Sequence, residues 1–327
     1  MKALFTSDWH LSARPKEAYR WEIFPWLARQ AKLREVEFIF VLGDLTDSKD
    51  HHSNAFINQL VESFRKLQRD CGSLIHLLPG NHDYVDPNYP LLRFFRDTGI
   101  WYHSQPHEIY CKDKKAYLIP NQKSPAKFFE ILEGAPEVDF VLMHQTIKGS
   151  IASNGMRLPG LEPERTKKGK ALMISGDIHV PQKIGEVVYC GSPHPVHFGD
   201  DFKPRVLFWD GAMLKSIPRT TLKKSILRIQ SVKDLQKMEG LTPGDQVKVI
   251  LELPRSEFAS WEEKRSEIQE LAKKQEWEVH GLELREQKNE LRAPQLGKRI
   301  TPAQVLRDFC KENKIEASIE EVGLKLL

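Results

Sequence analysis

Five short apolar runs punctuate the first 200 residues: KALFTS, EFIFVLG, SLIHLLPG, FVLMHQ and ALMISG. They show no helical period, and each stops at a glycine or a polar residue, as strands buried on both faces do. Between the first two lies a helix-length stretch, Ala18 to Arg34, carrying Trp21, Phe24, Trp26 and Leu27. Between the second and third, Asn54 to Arg69 sets Phe56, Ile57, Leu60, Phe64 and Leu67 one, three or four residues apart, a helical stripe. Strands alternating with amphipathic helices predict an α/β domain with helices packed on sheet faces.

Near Pro218 the pattern changes. VKVILEL puts Val247, Val249, Leu251 and Leu253 on one face, and a helix follows with Trp261, Ile268, Leu271 and Ala272 on its apolar side. WEVHGLEL reads as a returning strand whose phase shifts at Gly281, as at a bulge. Together these predict a small βαβ-like module. After Pro294, Thr301-Pro302-Ala303-Gln304 has the form of a helix start, and Val305, Leu306 and Phe309 make an apolar stripe. Helices this short must dock on something to be stable. The expected organisation is residues 1–218, 219–293 and a helical tail at 294–327.

A chain of 327 residues has room for one large core and a smaller unit. With 40% hydrophobic and 29% charged residues it reads as an ordinary globular protein, and no run of eighteen apolar residues suggests a membrane span. The N-terminus enters a strand-like run directly, without the basic-then-apolar leader of a secreted chain. Cys71, Cys111, Cys190 and Cys310 are far apart and lack metal-finger spacing, which fits reduced thiols in a cytoplasmic compartment. A net charge of +4 decides nothing. The local cluster Arg165, Lys167, Lys168 and Lys170 is either a solvated connector or a contact for an anionic substrate such as DNA.

The apolar runs share one ending. KALFTS leads to Asp8-Trp9-His10, FIFVLG to Asp44, LIHLLPG to Asn81-His82-Asp83, FVLM to His144, and LMISG to Asp177 and His179. Any one of these is a common turn. In series they bring oxygen and imidazole ligands to the open end of a sheet, which points to a binuclear centre. Two cations clamp a phosphate and activate a water between them. Hard oxygen donors with imidazoles and no thiolates suit Mn²⁺, with Mg²⁺ as the alternative, over structural zinc. A histidine beside the metals and backed by an acid, as His82 and Asp83 are spaced to be, can protonate a leaving oxygen.

The series DWH, GDLTD, GNHD, MHQ and GDIH resembles the signature of the calcineurin-type metallophosphoesterases. GDLTDS, His144-Gln145, His179-Val180-Pro181-Gln182 and GSPHPVHFGD are similar to the SbcD-type nuclease branch, over residues 1 to about 210. The resemblance implies a β-sandwich flanked by helices, a small α+β capping domain that cradles DNA, and a C-terminal helix pair that binds an SbcC-type coiled-coil ATPase. It implies one metal on Asp8, His10, Asp44 and His179, and a second on Asp44, Asn81, His144 and residue 177. Asp44 would bridge and His82 would act on the leaving group. It also implies a homodimer, with Asn54 to Arg69 as one candidate face, and DNA exonuclease and endonuclease activity.

One ligand departs from the pattern. The family turn reads Gly-His-x-His, whereas this chain has Gly176-Asp177-Ile178-His179. An aspartate oxygen reaches about as far from the backbone as a histidine Nδ1 and falls short of Nε2. Asp177 is therefore expected to be a working ligand that makes the second site harder and more negative, the competing reading being a weakened second site. His194 and His197 follow Gly191-Ser192 and are candidates for substrate contact. His51 and His52 read as a solvated loop, and Trp9 as packing. Lys223, Lys224, Lys298 and Arg299 are candidate phosphate contacts. The alternative function is a stand-alone phosphoesterase for small diesters or phosphoproteins, and a metal-free scaffold is the non-enzymatic reading.

Overall fold

A computed structural model of the chain describes residues 1–49 and 51–287, with Ala303, Leu306, Arg307, Cys310, Lys311, Ile315, Ile319, Val322 and Leu324 beyond them. In chain order the strands are β1 (Ala3–Thr6), β2 (Phe38–Leu42), β3 (Leu74–Leu78), β4 (Trp101–Tyr102), β5 (His107–Cys111), β6 (Lys114–Ile119), β7 (Phe140–His144), β8 (Leu172–Gly176), β9 (Lys183–Ile184), β10 (Val187–Tyr189), β11 (Arg205–Trp209), β12 (Leu214–Pro218), β13 (Lys224–Ile229), β14 (Gln246–Leu253) and β15 (Glu278–Glu286). The helices are α1 (Ile23–Arg34), α2 (Asn54–Cys71), α3 (Pro125–Gly134), α4 (Val232–Gln236) and α5 (Trp261–Lys274). One sheet runs β12-β11-β1-β2-β3-β4, a second β5-β6-β7-β8-β10-β9, and a third β13-β14-β15.

The apolar runs lie inside the two large sheets because both of their faces are covered. On β1, Ala3 and Phe5 pack between the sheets with Phe40, Leu42, Leu118, Phe140 and Ile174. Leu4 points the other way, to Leu27 of α1 and Leu60 and Phe64 of α2. On the far side of the second sheet, Val141, Met143 and Met173 meet Phe128 and Leu132 of α3. The result is a mixed α/β sandwich of parallel-rich sheets flanked by helices, as the pattern predicts. β1, β2 and β3 run parallel, as do β7 and β8 with His144 opposite Gly176, so the loops after these strands leave at their C-terminal ends.

The first helix departs from expectation. Residues Pro15–Glu22 form a 3₁₀ segment, and the α-helix begins only at Ile23. Pro25 explains this: it has no N–H and is tolerated only in a first helical turn, so a helix begun at Ala18 would place it where it breaks the ladder. By contrast α2 starts where expected, capped by Ser53 Oγ, which accepts the Phe56 N–H at 3.2 Å.

The third sheet holds the expected β14, α5 and β15, and also β13 and α4, which the pattern does not predict; β13 pairs parallel to β14. Most of this sheet belongs to one compact unit with the two large ones, Met1–Glu252 with Ala259–Arg285. Packing is therefore continuous across residue 218: the buried Lys224 Nζ lies 2.9 Å from both Glu17 carboxylate oxygens, and Gln246 Nε2 donates to the Lys16 carbonyl at 2.7 Å. Leu253–Phe258 and Glu286–Leu327 form a second unit, in which Gln287 N–H donates to Leu253 O at 2.8 Å and Cys310 is buried. Most of the 294–327 tail, including Thr301, Pro302, Gln304, Val305 and Phe309, and the Lys298-Arg299 pair lie outside the described residues. Among the described residues no helix is long and apolar enough to cross a membrane.

At the β3–β4 edge three imidazoles form a chain. His107 Nδ1 donates to the Gln105 carbonyl at 2.8 Å, which leaves its Nε2 to accept from His103 Nδ1 at 3.0 Å. His103 Nε2 then accepts from His76 Nδ1 at 2.8 Å, so one carbonyl sets three tautomers. Burial lowers His76 to about 4, and burial with the neighbouring imidazoles lowers His103 to about 3. The folded state rejects protons that the unfolded chain binds below about pH 6.5, so stability present above that pH is lost as pH falls towards 4. Thermal melting is expected at a lower temperature at about pH 5 than at about pH 7, with His76→Leu narrowing the difference. Phe140, which stands 5.9 Å from Phe5 and 5.3 Å from Trp209 between ring centroids, tests the inter-sheet core. Phe140→Ala is expected to destabilise the fold by about 3–5 kcal/mol in denaturant titration.

Candidate metal centre

Four of the candidate ligands sit in a backbone conformation that L residues rarely adopt. Asp8, His10, Asp44 and Asp177 have φ of 56°, 44°, 53° and 86°. Such a turn at a strand end swings the side chain over the sheet edge, at a cost of about 1–3 kcal/mol per residue. The Asp8-Trp9-His10 turn is held on every side. Asp8 N–H donates to Gly43 O and His10 N–H to Asp44 O, both at 3.0 Å. The three carbonyls of the turn accept in order from Ser192 Oγ at 2.9 Å, His194 Nε2 at 2.7 Å and Arg20 Nη1.

His144 is fixed by its tautomer. Its Nδ1 donates to Leu42 O at 2.7 Å, so Nε2 is the ring atom left to face the site. That atom faces Asn81 Oδ1 at 3.0 Å, Asp44 Oδ1 at 3.3 Å and Asp177 Oδ1 at 3.6 Å. The other Asp44 oxygen lies 3.7 Å from His10 Nε2, so one carboxylate spans two groups of donors. Glycines make room for this crowding. A Cβ at Gly43, whose φ is +86°, would fall 2.1 Å from His144 Nδ1, and one at Gly80 would fall 2.2 Å from Asp44 Oδ1.

The donors fit divalent cations. Ligand atoms of Asp8, His10 and His179 lie within 4.8 Å of one another, as do those of Asp8, Asp44 and His144. His10 and His179 bring their Nε2 atoms to 3.1 Å, and burial lowers both imidazoles, keeping them in the neutral form that has a lone pair to give. Burial also raises Asp8 to about 8, with Asp44 and Asp177 adding repulsion. For His144, burial works towards the neutral form, but Asp44, Asp177 and Asp8 overcome it and raise the group well above the usual range. Carboxylates packed this closely need positive charge among them, which two divalent ions supply. Asp177 has one oxygen on the Thr146 hydroxyl and the other towards His144, and burial raises it too.

Other candidates are placed differently. His82 is half-buried, its ring 4.9 Å from that of His10 and its N–H donating to Asp44 Oδ1 at 2.9 Å. Asp83 does not back His82: its two oxygens accept from Thr46 N at 3.0 Å and Gly80 N at 2.8 Å, tying two ligand loops together. His194 is a correction, because it is fully buried between Trp9 O and Arg219 Nη1 and faces no substrate. The basic cluster stands apart from the ligands. Lys170 stands just before β8, whose five residues, about 17 Å of strand, separate it from Asp177. Arg165 and Lys168 bind Glu133 at the end of α3, Lys168 through the carbonyl, and Lys167 is exposed in the same connector.

Lys224 is committed to Glu17, and Lys223 Nζ donates to Gly240 O. Trp9 is buried, stacked on Phe64, and His52 stacks on Phe56, while His51 is exposed. His197 is exposed and stacks on His179 at 5.4 Å. Thr146, Arg20 and Ser192 are supports that sequence reasoning missed; they act on carbonyls and on one carboxylate oxygen, partners that leave no motif. Asp177→Ala is expected to reduce bound manganese from two ions to one per chain, measured by calorimetric titration and elemental analysis; an unchanged count of two would remove Asp177 from the ligand set.

Over 223 residues, 64% of each chain, this protein is 25% identical to exonuclease subunit 1 of Enterobacteria phage T4. Over 91 residues it is 32% identical to SbcD of the nuclease SbcCD from Escherichia coli K12, covering 26% of this chain and 22% of that one. The alignments thus span less than two thirds of either relative. A Pseudomonas putida nuclease structure, MPE, covers 66% of this chain and 87% of its own at 14% identity, with a TM-score of 0.34, too slight a likeness to bear on the site. The family model described as calcineurin-like phosphoesterase matches residues 1–181, more than half of the chain, and its loops are the ones that converge here: this protein is a member of the calcineurin-like phosphoesterase family.

Proposed function

We propose that the chain is a two-metal DNA nuclease subunit, hydrolysing phosphodiesters as exonuclease and endonuclease in end processing, repair or recombination. The observation that carries this reading is the convergence of Asp8, His10, Asp44, Asn81, His144, Asp177 and His179 at the C-terminal ends of strands from both large sheets. The relatives named as an exonuclease subunit and a nuclease subunit support the choice of DNA. Asp8, His10, Asp44 and His179 would hold one ion, and Asp44, Asn81, His144 and Asp177 the other. The hard donor set favours Mn²⁺, then Mg²⁺. Bound ions supply Lewis acidity towards the phosphate and lower the pKa of water.

The rest falls to side chains of this protein. His82, beside His10 and anchored through its backbone to Asp44, gives a proton to the leaving oxygen. Thr146 holds Asp177 so that its free oxygen faces the second site. Residues 219–293 act as the DNA cap, the 294–327 tail binds an SbcC-type coiled-coil ATPase, and two copies pair through α2. The complex works in the cytoplasm, that of the host if the chain is phage-encoded.

End-labelled duplex and hairpin DNA incubated with Mn²⁺ tests the reading. Wild type is expected to shorten or nick both, and His82→Ala to slow cleavage by about 10²–10⁴-fold. Equal rates would remove His82 from the mechanism. Hydrolysis of bis-p-nitrophenyl phosphate without any cleavage of DNA would indicate a small-molecule diesterase.

A further inference from the structure

We infer that the cavity beside the metal centre is a nucleobase subsite, holding the base of a nucleotide that flanks the scissile phosphate. The inference rests on the nuclease reading above. The cavity has a volume of about 510 Å³, within the range of small-ligand sites. One wall is Asp177 and His179 themselves, so whatever fills it is next to the reacting phosphate. The opposing walls are apolar, with Leu158, Phe198 and Ile226. With apolar side chains facing a few polar ones, Ser153, Asn154 and His197, the cavity matches a flat ring with a polar edge.

The polar edge has a partner. Asn154 lines the cavity and uses its oxygen to accept the Met156 N–H at 3.0 Å, which leaves its NH₂ to donate. Every base carries acceptors on its edge, so such a donor tolerates all of them. The Phe198 ring is set by its surroundings: His280 is 5.2 Å from it between centroids, and the Lys224 and Lys248 ammonium groups lie 5.2 and 4.8 Å from its centroid. Lys224 is paired with Glu17, but Lys248 has no carboxylate partner among the described residues. Ile226 and Lys248 are register partners on β13 and β14 and leave the sheet on the same face. An apolar contact and a cation therefore stand side by side, the pairing that a base and its phosphate present.

The test deletes the base as well as the side chain. Wild type, Phe198→Ala and Ile226→Ala are given end-labelled single-stranded oligonucleotides with Mn²⁺. In these, the nucleotide on the 5′ or the 3′ side of one bond is either intact or a tetrahydrofuran abasic residue. The readout is the rate at that bond, intact over abasic, a ratio independent of how much of each variant is folded. Wild type is expected to show a ratio of about tenfold at one of the two positions, and both variants a ratio near one. A wild-type ratio near one at both positions overturns the subsite and leaves DNA cleavage standing, and so does a tenfold ratio unchanged in both variants. A wild type that cuts duplex and hairpin DNA but none of these strands overturns the subsite alone, and one that cuts no DNA of any form, whatever it does to bis-p-nitrophenyl phosphate, overturns the nuclease reading and the subsite with it.

Discussion

The centre depends on backbone held where L side chains resist going. Asp8, His10, Asp44 and Asp177 reach one region of space only because each turns at positive φ as its strand ends. A turn of this kind persists when its surroundings over-determine it. Here the surroundings are two six-stranded sheets with a continuous apolar interior, and donors aimed at each carbonyl of the Asp8-Trp9-His10 turn. The core is what keeps the strained edge from relaxing, so stability and ligand geometry are one problem in this fold.

Electrostatics imposes the second condition. Asp8, Asp44 and Asp83 are buried, with Asp177 close by, and burial alone would drive such carboxylates to take up protons. Two backbone N–H groups only limit the rise at Asp83, which burial and Asp44 still carry to about 6, whereas Asp44 escapes through His144, with the His82 N–H on one of its oxygens. Asp8 and Asp177 have less compensation, and they are the residues a cation would relieve most. Metal affinity and folding are then linked, because the same charges that repel in the bare site attract ions into it.

Much of this was legible in the chain. The central strands are apolar runs buried on both faces, and the ligands follow them directly, so β1, β2, β3, β7 and β8 and the loops after them could be read off. The short strands β4, β9 and β10 are two or three residues long and carry no pattern of their own. β13 hides its alternation behind Lys224, a charged residue that is buried only because Glu17 meets it from far away in sequence. Arg20 and Ser192 were invisible for a related reason: they bind carbonyls, and any donor at the right place would do. His194 misled because proximity to a motif in sequence does not tell whether a side chain faces the site or the core.

Glu17 and Arg20 share one 3₁₀ segment and one ion pair at 2.9 Å. Glu17 grips Lys224 at the start of β13, and Arg20 grips the His10 carbonyl. The small sheet and the ligand turn are thus bolted to a common bracket. β13 cannot tilt without breaking a buried ion pair or dragging that bracket along, and a dragged bracket shifts the His10 imidazole among the candidate ligands. In mechanical terms the third sheet is not a hinged flap over the edge of the sandwich but an arm keyed to its most strained corner.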